Sequence, residues 1–132
     1  MRFVGKKVLV TGGASGIGYA IAAGFMTEGA NVIVTDISTD ALERMDLAGP
    51  GELITRRSDA GKVAEIAELA AWLSAEVGSL DVLVNNAGFV LMNNPETLPE
   101  SDYDAQMDVM LKGPIFYVKH LAELLRASDN GC

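Results

Sequence analysis

The stretch Val8 to Gly18, VLVTGGASGIG, decides the fold. Three apolar residues are followed at once by the run Thr11–Gly18, which holds four glycines in eight residues. Glycine costs about 0.5–1 kcal/mol relative to alanine inside a regular element, so this run needs a compensating use. A helix that opens directly after a strand offers main-chain N–H groups and a partial positive charge to an anion. We therefore predict a phosphate-binding turn, the alternative being a tight turn that only packs strand against helix.

Short apolar runs alternate with longer helical patterns along the rest of the chain. Further strands are predicted at Val32–Thr35, Glu52–Arg57 and Val82–Val84, helices at Ile17–Glu28, Thr39–Leu47, Lys62–Val77 and Glu100–Ala127, and a loop at Asn85–Pro99. Continuous apolar strands are typical of parallel sheets that helices cover on both faces. The pattern predicts an α/β fold with a doubly wound parallel sheet.

Composition limits the possible partners. The chain has 132 residues, of which 49% are hydrophobic, enough for the core of one domain spanning residues 1–132. Its net charge of -8 argues against nucleic acid or an anionic membrane surface as partner. The single cysteine, Cys132, excludes an internal disulfide and favours a cytoplasmic location. No apolar run is long enough to span a membrane, and His120 lacks neighbours at metal-binding spacing.

Asp36 follows the second predicted strand, where dinucleotide-binding folds place an acid that hydrogen-bonds the adenosine ribose. A 2′-phosphate would meet like charge there, and neither Ile37–Ser38 nor Gly13–Ala14 offers an Arg or Lys. We therefore predict NAD as the cofactor. The alternative is that Asp36 only caps a helix or a turn.

Three motifs together resemble the short-chain dehydrogenase/reductase family. Its motifs T-G-x-x-x-G-x-G, N-N-A-G and an Asp after the third strand are matched by Thr11, Gly12, Gly16 and Gly18, by Asn85–Gly88, and by Asp59 with Ala60. The resemblance spans essentially all residues. It implies a Rossmann-like fold with strand order 3-2-1-4, and an oxidoreductase that moves hydride between NAD and a small alcohol or ketone.

The expected cofactor site lies beyond the carboxyl ends of the strands, where the strand order of an open α/β sheet reverses. The residues assigned to it are Gly12, Ser15, Gly16, Ile17, Gly18, Asp36, Ile37, Asp59, Ala60, Asn86, Ala87 and Gly88. Without the upstream motifs, Asn85–Gly88 would be interpreted as an ordinary turn. The following segment, Phe89–Met92, would contact the nicotinamide or an apolar substrate or, more simply, form a hydrophobic loop wall.

The sequence departs from the family in its catalytic residues. The family uses a Tyr as acid/base with a Lys four residues later, together with a Ser. Here Tyr19, Tyr103 and Tyr117 are followed at that spacing by Ala23, Met107 and Leu121. We therefore assign no catalytic residue and expect this chain alone to be inactive. The alternative function is a non-catalytic dinucleotide-binding or self-associating module.

A second departure lies in the last predicted helix. Met110 stands where the family motif N-x-x-G has its Asn, and Pro114 follows the motif glycine, Gly113. Proline has no N–H to bond the carbonyl four residues back, which is that of Met110. This predicts that the Met110 carbonyl is a free acceptor at the site. A kink with only a packing role is the alternative.

The resemblance also places a fifth strand where the chain ends, at Asn130–Cys132. Val82–Val84 would then be an uncovered sheet edge, which favours pairing with another chain. The last helix is apolar over a wide arc, through Ile115, Phe116, Val118, Leu121, Leu124 and Leu125. One face of this helix can pack on the sheet, and the rest resembles the dimer surface of the family. Exposed apolar patches mark interaction sites, so we predict a homo-oligomer.

Overall fold

The computed structural model describes residues 1–132. The strands are β1 (Lys7–Thr11), β2 (Asn31–Asp36), β3 (Leu53–Arg57) and β4 (Val82–Val84), and the helices are α1 (Gly16–Thr27), α2 (Thr39–Glu43), α3 (Val63–Glu76), α4 (Glu100–Met107) and α5 (Gly113–Arg126). A 3-10 turn covers Pro95–Thr97, and the π-helical segment Asp108–Lys112 joins α4 to α5. No helix combines the length and the apolar character needed to cross a membrane.

The four strands form one parallel sheet in the order β3-β2-β1-β4, which confirms the predicted topology. Leu9 at the centre of β1 lies between Ile33 of β2 and Leu83 of β4. The order reverses between β1 and β4, because the chain first builds outward to β3 and then returns to the other side of β1. The two central carboxyl ends therefore open a crevice beside the start of α1.

Helices cover both faces of the sheet, and successive strand residues enter two separate cores. Leu9 and Ile33 pack with residues of α3 and α5, including Leu73 and Leu121. On the opposite face the buried residues are Val8, Val10, Val32 and Val34 with Ala22 and Met26 of α1 and Leu42 of α2. The side-chain period of two along a strand explains this partition, and it confirms the doubly wound arrangement.

The outer edge of β4 is not fully uncovered, in contrast to the expectation. The Cys132 amide donates to the Asp81 carbonyl at 2.9 Å, and the Leu83 amide donates to the Cys132 carbonyl at 2.8 Å. Bonds from one residue to both neighbours of Val82 are the pattern of a parallel strand pair. The Ser128 hydroxyl anchors the tail by donating to Asp81 at 2.7 Å.

Asp81 ties the amino ends of β1 and β4 together. Its carboxylate accepts the Lys7 amide at 2.8 Å and the Lys6 ammonium at 3.0 Å, besides the Ser128 hydroxyl. Burial by itself raises the pKa of Asp81, but these hydrogen bonds and the Lys6 charge outweigh it. The pKa of Asp81 therefore lies below its ordinary value.

Two helices differ from the predicted ones. The predicted helix Thr39–Leu47 ends at Glu43, yet Leu47 remains buried because tertiary contacts hold the chain beyond the helix. The predicted continuous helix Glu100–Ala127 is interrupted by the π-helical segment, where the Gly113 amide bonds the Asp108 carbonyl five residues back. The widened turn comes directly before Pro114, which has no N–H to continue the α-helical bonds. A free Met110 carbonyl stays a prediction.

Candidate cofactor site

A cavity of about 520 Å³ opens at the carboxyl ends of β1, β2, β3 and β4. It is lined by all twelve predicted residues, Gly12, Ser15, Gly16, Ile17, Gly18, Asp36, Ile37, Asp59, Ala60, Asn86, Ala87 and Gly88, and also by Thr35, Ser58, Phe89 and Val109. The structure thus brings together residues from widely separated parts of the sequence. Their role in holding a cofactor stays a prediction.

The glycines of the first turn serve two different purposes. Gly12 and Gly18 are packed against the protein itself, since a Cβ on Gly12 would lie 2.7 Å from the Ala87 Cα. A Cβ on Gly18 would lie 2.3 Å from the Gly12 carbonyl oxygen. Gly16 has a φ of 55°, and a Cβ there would have no protein atom within 4 Å, so open space lies in front of the start of α1. A Cβ on Gly13 would likewise lie 2.8 Å from Val34 Cγ1, so the packing alternative holds for three of the four glycines, and Gly16 leaves room for an anion.

Thr11 and Asn86 fasten the ends of β1 and β4 to each other. The Asn86 side-chain amide donates to the Thr11 carbonyl at 3.0 Å and to the Gly12 carbonyl at 2.9 Å. In return, the Thr11 hydroxyl accepts the main-chain amides of Asn86 and Ala87, both at 3.1 Å. This tie fixes the glycine turn relative to β4 without placing a charge at the cavity.

The Asp36 carboxylate is held in a defined orientation beside the cavity. Its Oδ2 accepts the Ala14 amide at 3.2 Å, and its Oδ1 accepts the Ser38 amide at 3.1 Å. The helix-capping alternative applies to Ser38, whose hydroxyl accepts the Ala41 amide at the start of α2. The turn-capping alternative holds for Asp36 in part, since its bond from the amide two residues on is that of an Asx turn. Asp36 also joins the glycine turn to the end of β2, and each of its oxygens keeps lone pairs for further donors.

The loop after β3 is held by Glu65 of α3. Glu65 Oε2 accepts the Asp59 amide at 2.8 Å and Arg57 Nη1 at 2.5 Å. The bond from the Asp59 amide, supported by the charges of Arg57 and Lys62, holds the pKa of Glu65 below its ordinary value. Asp59 in turn accepts the Gly61 amide at 2.9 Å, so its side chain is fixed at the cavity wall.

Some site residues were missed by sequence reasoning. Thr35, Ser58 and Val109 line the cavity although no motif marks them. Glu65 also escaped notice, although an acid on the third residue of a helix is a known signal for a bond back to a preceding amide. The hydrogen bonds to the Thr11 hydroxyl could have been predicted, because Thr11 is the first residue of the glycine motif. Ser58 gave no signal, because the sequence does not reveal that its hydroxyl is buried without a hydrogen-bond partner.

None of the three tyrosines lines the cavity. The Tyr19 hydroxyl donates to the Asp46 carbonyl at 3.0 Å, and Tyr103 is exposed on α4. Tyr117 is buried, and burial raises its pKa. Met110 does lie near the site, since its Cγ is 3.5 Å from where a Cβ on Gly88 would be.

A parallel sheet whose order reverses beside a glycine-rich helix start defines the class of dinucleotide-binding α/β proteins. A sequence profile of this class, described as short chain dehydrogenase, matches residues 6–132. The chain belongs to the short-chain dehydrogenase/reductase family.

Individual relatives agree with this assignment. The chain is 38% identical over 135 residues to an uncharacterized oxidoreductase of Thermotoga maritima, covering 99% of this chain and 53% of that protein. It is 32% identical over 126 residues to the NAD-dependent glycerol dehydrogenase of Listeria innocua, covering 96% and 50%. The chain thus spans about half the length of the curated relatives it matches.

A solved structure shows the same fold. A metagenomic short-chain oxidoreductase in complex with NADP superposes with a TM-score of 0.92 and 32% identity, covering 99% of this chain and 61% of the other. Relatives are therefore named for both NAD and NADP, and the family assignment alone does not choose between them.

Proposed function

We propose that this chain is the NAD-binding part of a short-chain dehydrogenase/reductase-type oxidoreductase, which moves hydride between NAD and the alcohol or ketone form of a small substrate. The observation that carries the proposal is the open space in front of Gly16 at the start of α1, with the Asp36 carboxylate on the same cavity. An anion at Gly16 meets main-chain amides and the positive end of the helix dipole.

The cavity residues fit the parts of a dinucleotide. The diphosphate would lie against Gly16–Gly18, with open space in front of Gly16. Asp36 would accept hydrogen bonds from the hydroxyls of the adenosine ribose, and Asp59 with Ala60 would contact the adenine. No Lys or Arg lines the cavity, so a 2′-phosphate would meet the Asp36 charge without compensation, which supports NAD over NADP.

The chemistry of the bound group is hydride transfer at its nicotinamide ring. This chain would contribute binding and orientation, since Ala87 and Gly88 in the loop after β4 line the cavity with little bulk. A proton-transferring tyrosine needs a lowered pKa and access to substrate. Tyr117 has neither, because burial raises its pKa and closes it off. We therefore propose that the chain of 132 residues binds cofactor and does not turn over alcohol alone.

Titration with NADH and with NADPH, followed by cofactor fluorescence, tests this assignment. We expect NADH to bind more tightly than NADPH, and Asp36→Ala to weaken NADH binding about tenfold by removing a charged acceptor. Asp40→Ala is the matched control, because Asp40 is an exposed acid just beyond β2 that does not line the cavity. Equal binding of the two cofactors to the wild type would remove support for NAD.

We also propose that the chain self-associates through the outer face of α5 and the π-helical segment. Met110, Leu111, Ile115 and Val118 are each about half exposed there. An apolar face of this kind marks interaction sites. Light scattering at micromolar concentration is expected to show a dimer or larger species, and Ile115→Glu a monomer. Val4→Glu, which adds the same charge at an exposed valine near the amino terminus, should leave the mass unchanged.

A further inference from the structure

The sheet places a cation beside Asp36 that the sequence motifs do not mark. Asp36 at the end of β2 is the register partner of Arg57 at the end of β3. Paired residues in neighbouring strands are about 4.8 Å apart and point to the same face of the sheet. The guanidinium of an arginine at this position has the length to reach the region in front of Asp36.

Arg57 does not occupy that region, because Glu65 holds it elsewhere. Arg57 Nη1 donates to Glu65 Oε2 at 2.5 Å, and Arg57 does not line the cavity. Glu65 is itself fixed, since the same oxygen accepts the Asp59 amide at 2.8 Å. Lys62 Nζ lies 3.6 Å from the other oxygen of Glu65, Oε1, and places a second positive charge beside this carboxylate.

We propose that Glu65 determines the cofactor specificity of the site by keeping Arg57 away from the ribose end of the cavity. This inference rests on the proposed dinucleotide binding. A 2′-phosphate adjacent to Asp36 would need a cationic partner, and arginine is well suited to bind phosphate with two parallel hydrogen bonds. Glu65 removes that partner by pairing with it, so the Asp36 carboxylate faces the ribose alone and a 2′-hydroxyl is favoured.

Glu65→Gln separates the two roles of this side chain. The glutamine oxygen still accepts the Asp59 amide, so the loop stays in place, whereas the neutral amide no longer holds the Arg57 charge. We expect the affinity for NADPH to rise about tenfold, the gain typical of one charge-assisted hydrogen bond. The affinity for NADH should change by less than about twofold, because its ribose carries no phosphate.

Two further variants assign the effect to Arg57. In the double variant Glu65→Gln/Arg57→Gln the gain in NADPH affinity should disappear, since no guanidinium remains. Glu68→Gln is the matched control: Glu68 is an exposed acid on the same helix, beside the same groove as Arg56 and Arg57, and it makes no ion pair. It should leave the ratio of the NADH and NADPH dissociation constants unchanged.

The outcomes separate this inference from the proposed function. If the wild type binds NADH but Glu65→Gln gains no NADPH affinity, or gains no more than Glu68→Gln, Glu65 does not set specificity. If the wild type binds neither dinucleotide, the proposed function fails and this inference fails with it. Circular dichroism checks folding. Should Glu65→Gln not fold, Glu65→Asp, which shortens the side chain and weakens the same pair, must show the NADPH gain for the inference to stand.

Discussion

At each end of β1 and β4 a single polar side chain joins the two strands, but this side chain is charged at one end and neutral at the other. At the amino end, the Asp81 carboxylate accepts the Lys7 amide and the Lys6 ammonium. At the carboxyl end, the neutral Asn86 amide donates to the carbonyls of Thr11 and Gly12. Both ties close the gap between the same strands, so packing alone does not explain the different residues.

The difference follows from the charges that lie beside each end of the two strands. The amino end carries lysines, so a carboxylate there is neutralised within the protein. The carboxyl end presents the start of α1, which attracts an anion through its free amides and its dipole. A carboxylate tie at that end would repel the anion. Asn86 therefore ties the two strands without adding a negative charge beside the start of α1, which is what the proposed diphosphate site requires.

Of the variants that test this comparison, Asn86→Asp should have the largest effect on stability. A carboxylate would lose both donated hydrogen bonds and face the Thr11 and Gly12 carbonyl oxygens. We expect a loss of about 3 kcal/mol in the free energy of unfolding, measured in urea, because a partly buried charge is left unpaired. NADH binding should fall at least about tenfold, since the new charge repels the diphosphate.

Asn85→Asp is the control for this change. Asn85 is the exposed neighbour at the same strand end, and its side chain makes none of the hydrogen bonds seen for Asn86. Adding charge there should cost little stability. If both variants lose the same stability, the tie between β1 and β4 is not the reason for the loss.

Glycine substitutions along α1 sharpen the comparison at the carboxyl end. Gly18→Ala should cost about 2 kcal/mol in stability, because its Cβ would overlap the Gly12 carbonyl oxygen at 2.3 Å. Gly24→Ala, on the same helix with nothing within 4 Å, should instead stabilise by up to about 1 kcal/mol through helix propensity. Thermal melts measure both effects, and equal losses would contradict the packing role of Gly18.

Gly16→Ala probes the open space and not the packing. Its φ of 55° makes alanine strained by about 1 kcal/mol, but no protein atom lies in the way. NADH affinity should therefore fall more than stability does, because the methyl group enters the space proposed for the diphosphate. A variant with unchanged affinity would argue against binding at this turn.

The sequence predicted the features that local chemistry determines. Strand order, both core faces and the twelve residues around the cavity followed from apolar runs, from the glycine turn and from the family motifs. Contacts that depend on three-dimensional register were not predictable. Arg57 lies beside Asp36 only through the pairing of β2 with β3, and Cys132 covers part of β4 only because the tail folds back to Asp81. The π-helical segment before Pro114 also depends on the packing of α5, where Gly113 contacts the Ala60 carbonyl.

Asp81→Asn tests the charged tie and should have a smaller effect on stability at neutral pH than Asn86→Asp. The variant keeps the shape, but it loses the charge that binds the partly exposed Lys6 and replaces one accepting oxygen by an NH2 group that faces a donor. We expect a loss of about 1 kcal/mol in the free energy of unfolding. The folded pKa of Asp81 lies below its ordinary value, so its charge stabilises the folded state above about pH 4.

This stabilisation is lost as the pH falls through the lower pKa of the folded state, where the carboxyl group becomes protonated. The stability difference between wild type and Asp81→Asn should therefore be constant from neutral pH down to about pH 4 and close below it. Asp104→Asn, at an exposed acid on α4, should show no such difference at any pH. If the difference in the free energy of unfolding between wild type and Asp81→Asn persists in acid, the shape of the Asp81 side chain, and not its charge, stabilises the amino end. The contrast with the neutral tie at Asn86 would then lose its electrostatic basis.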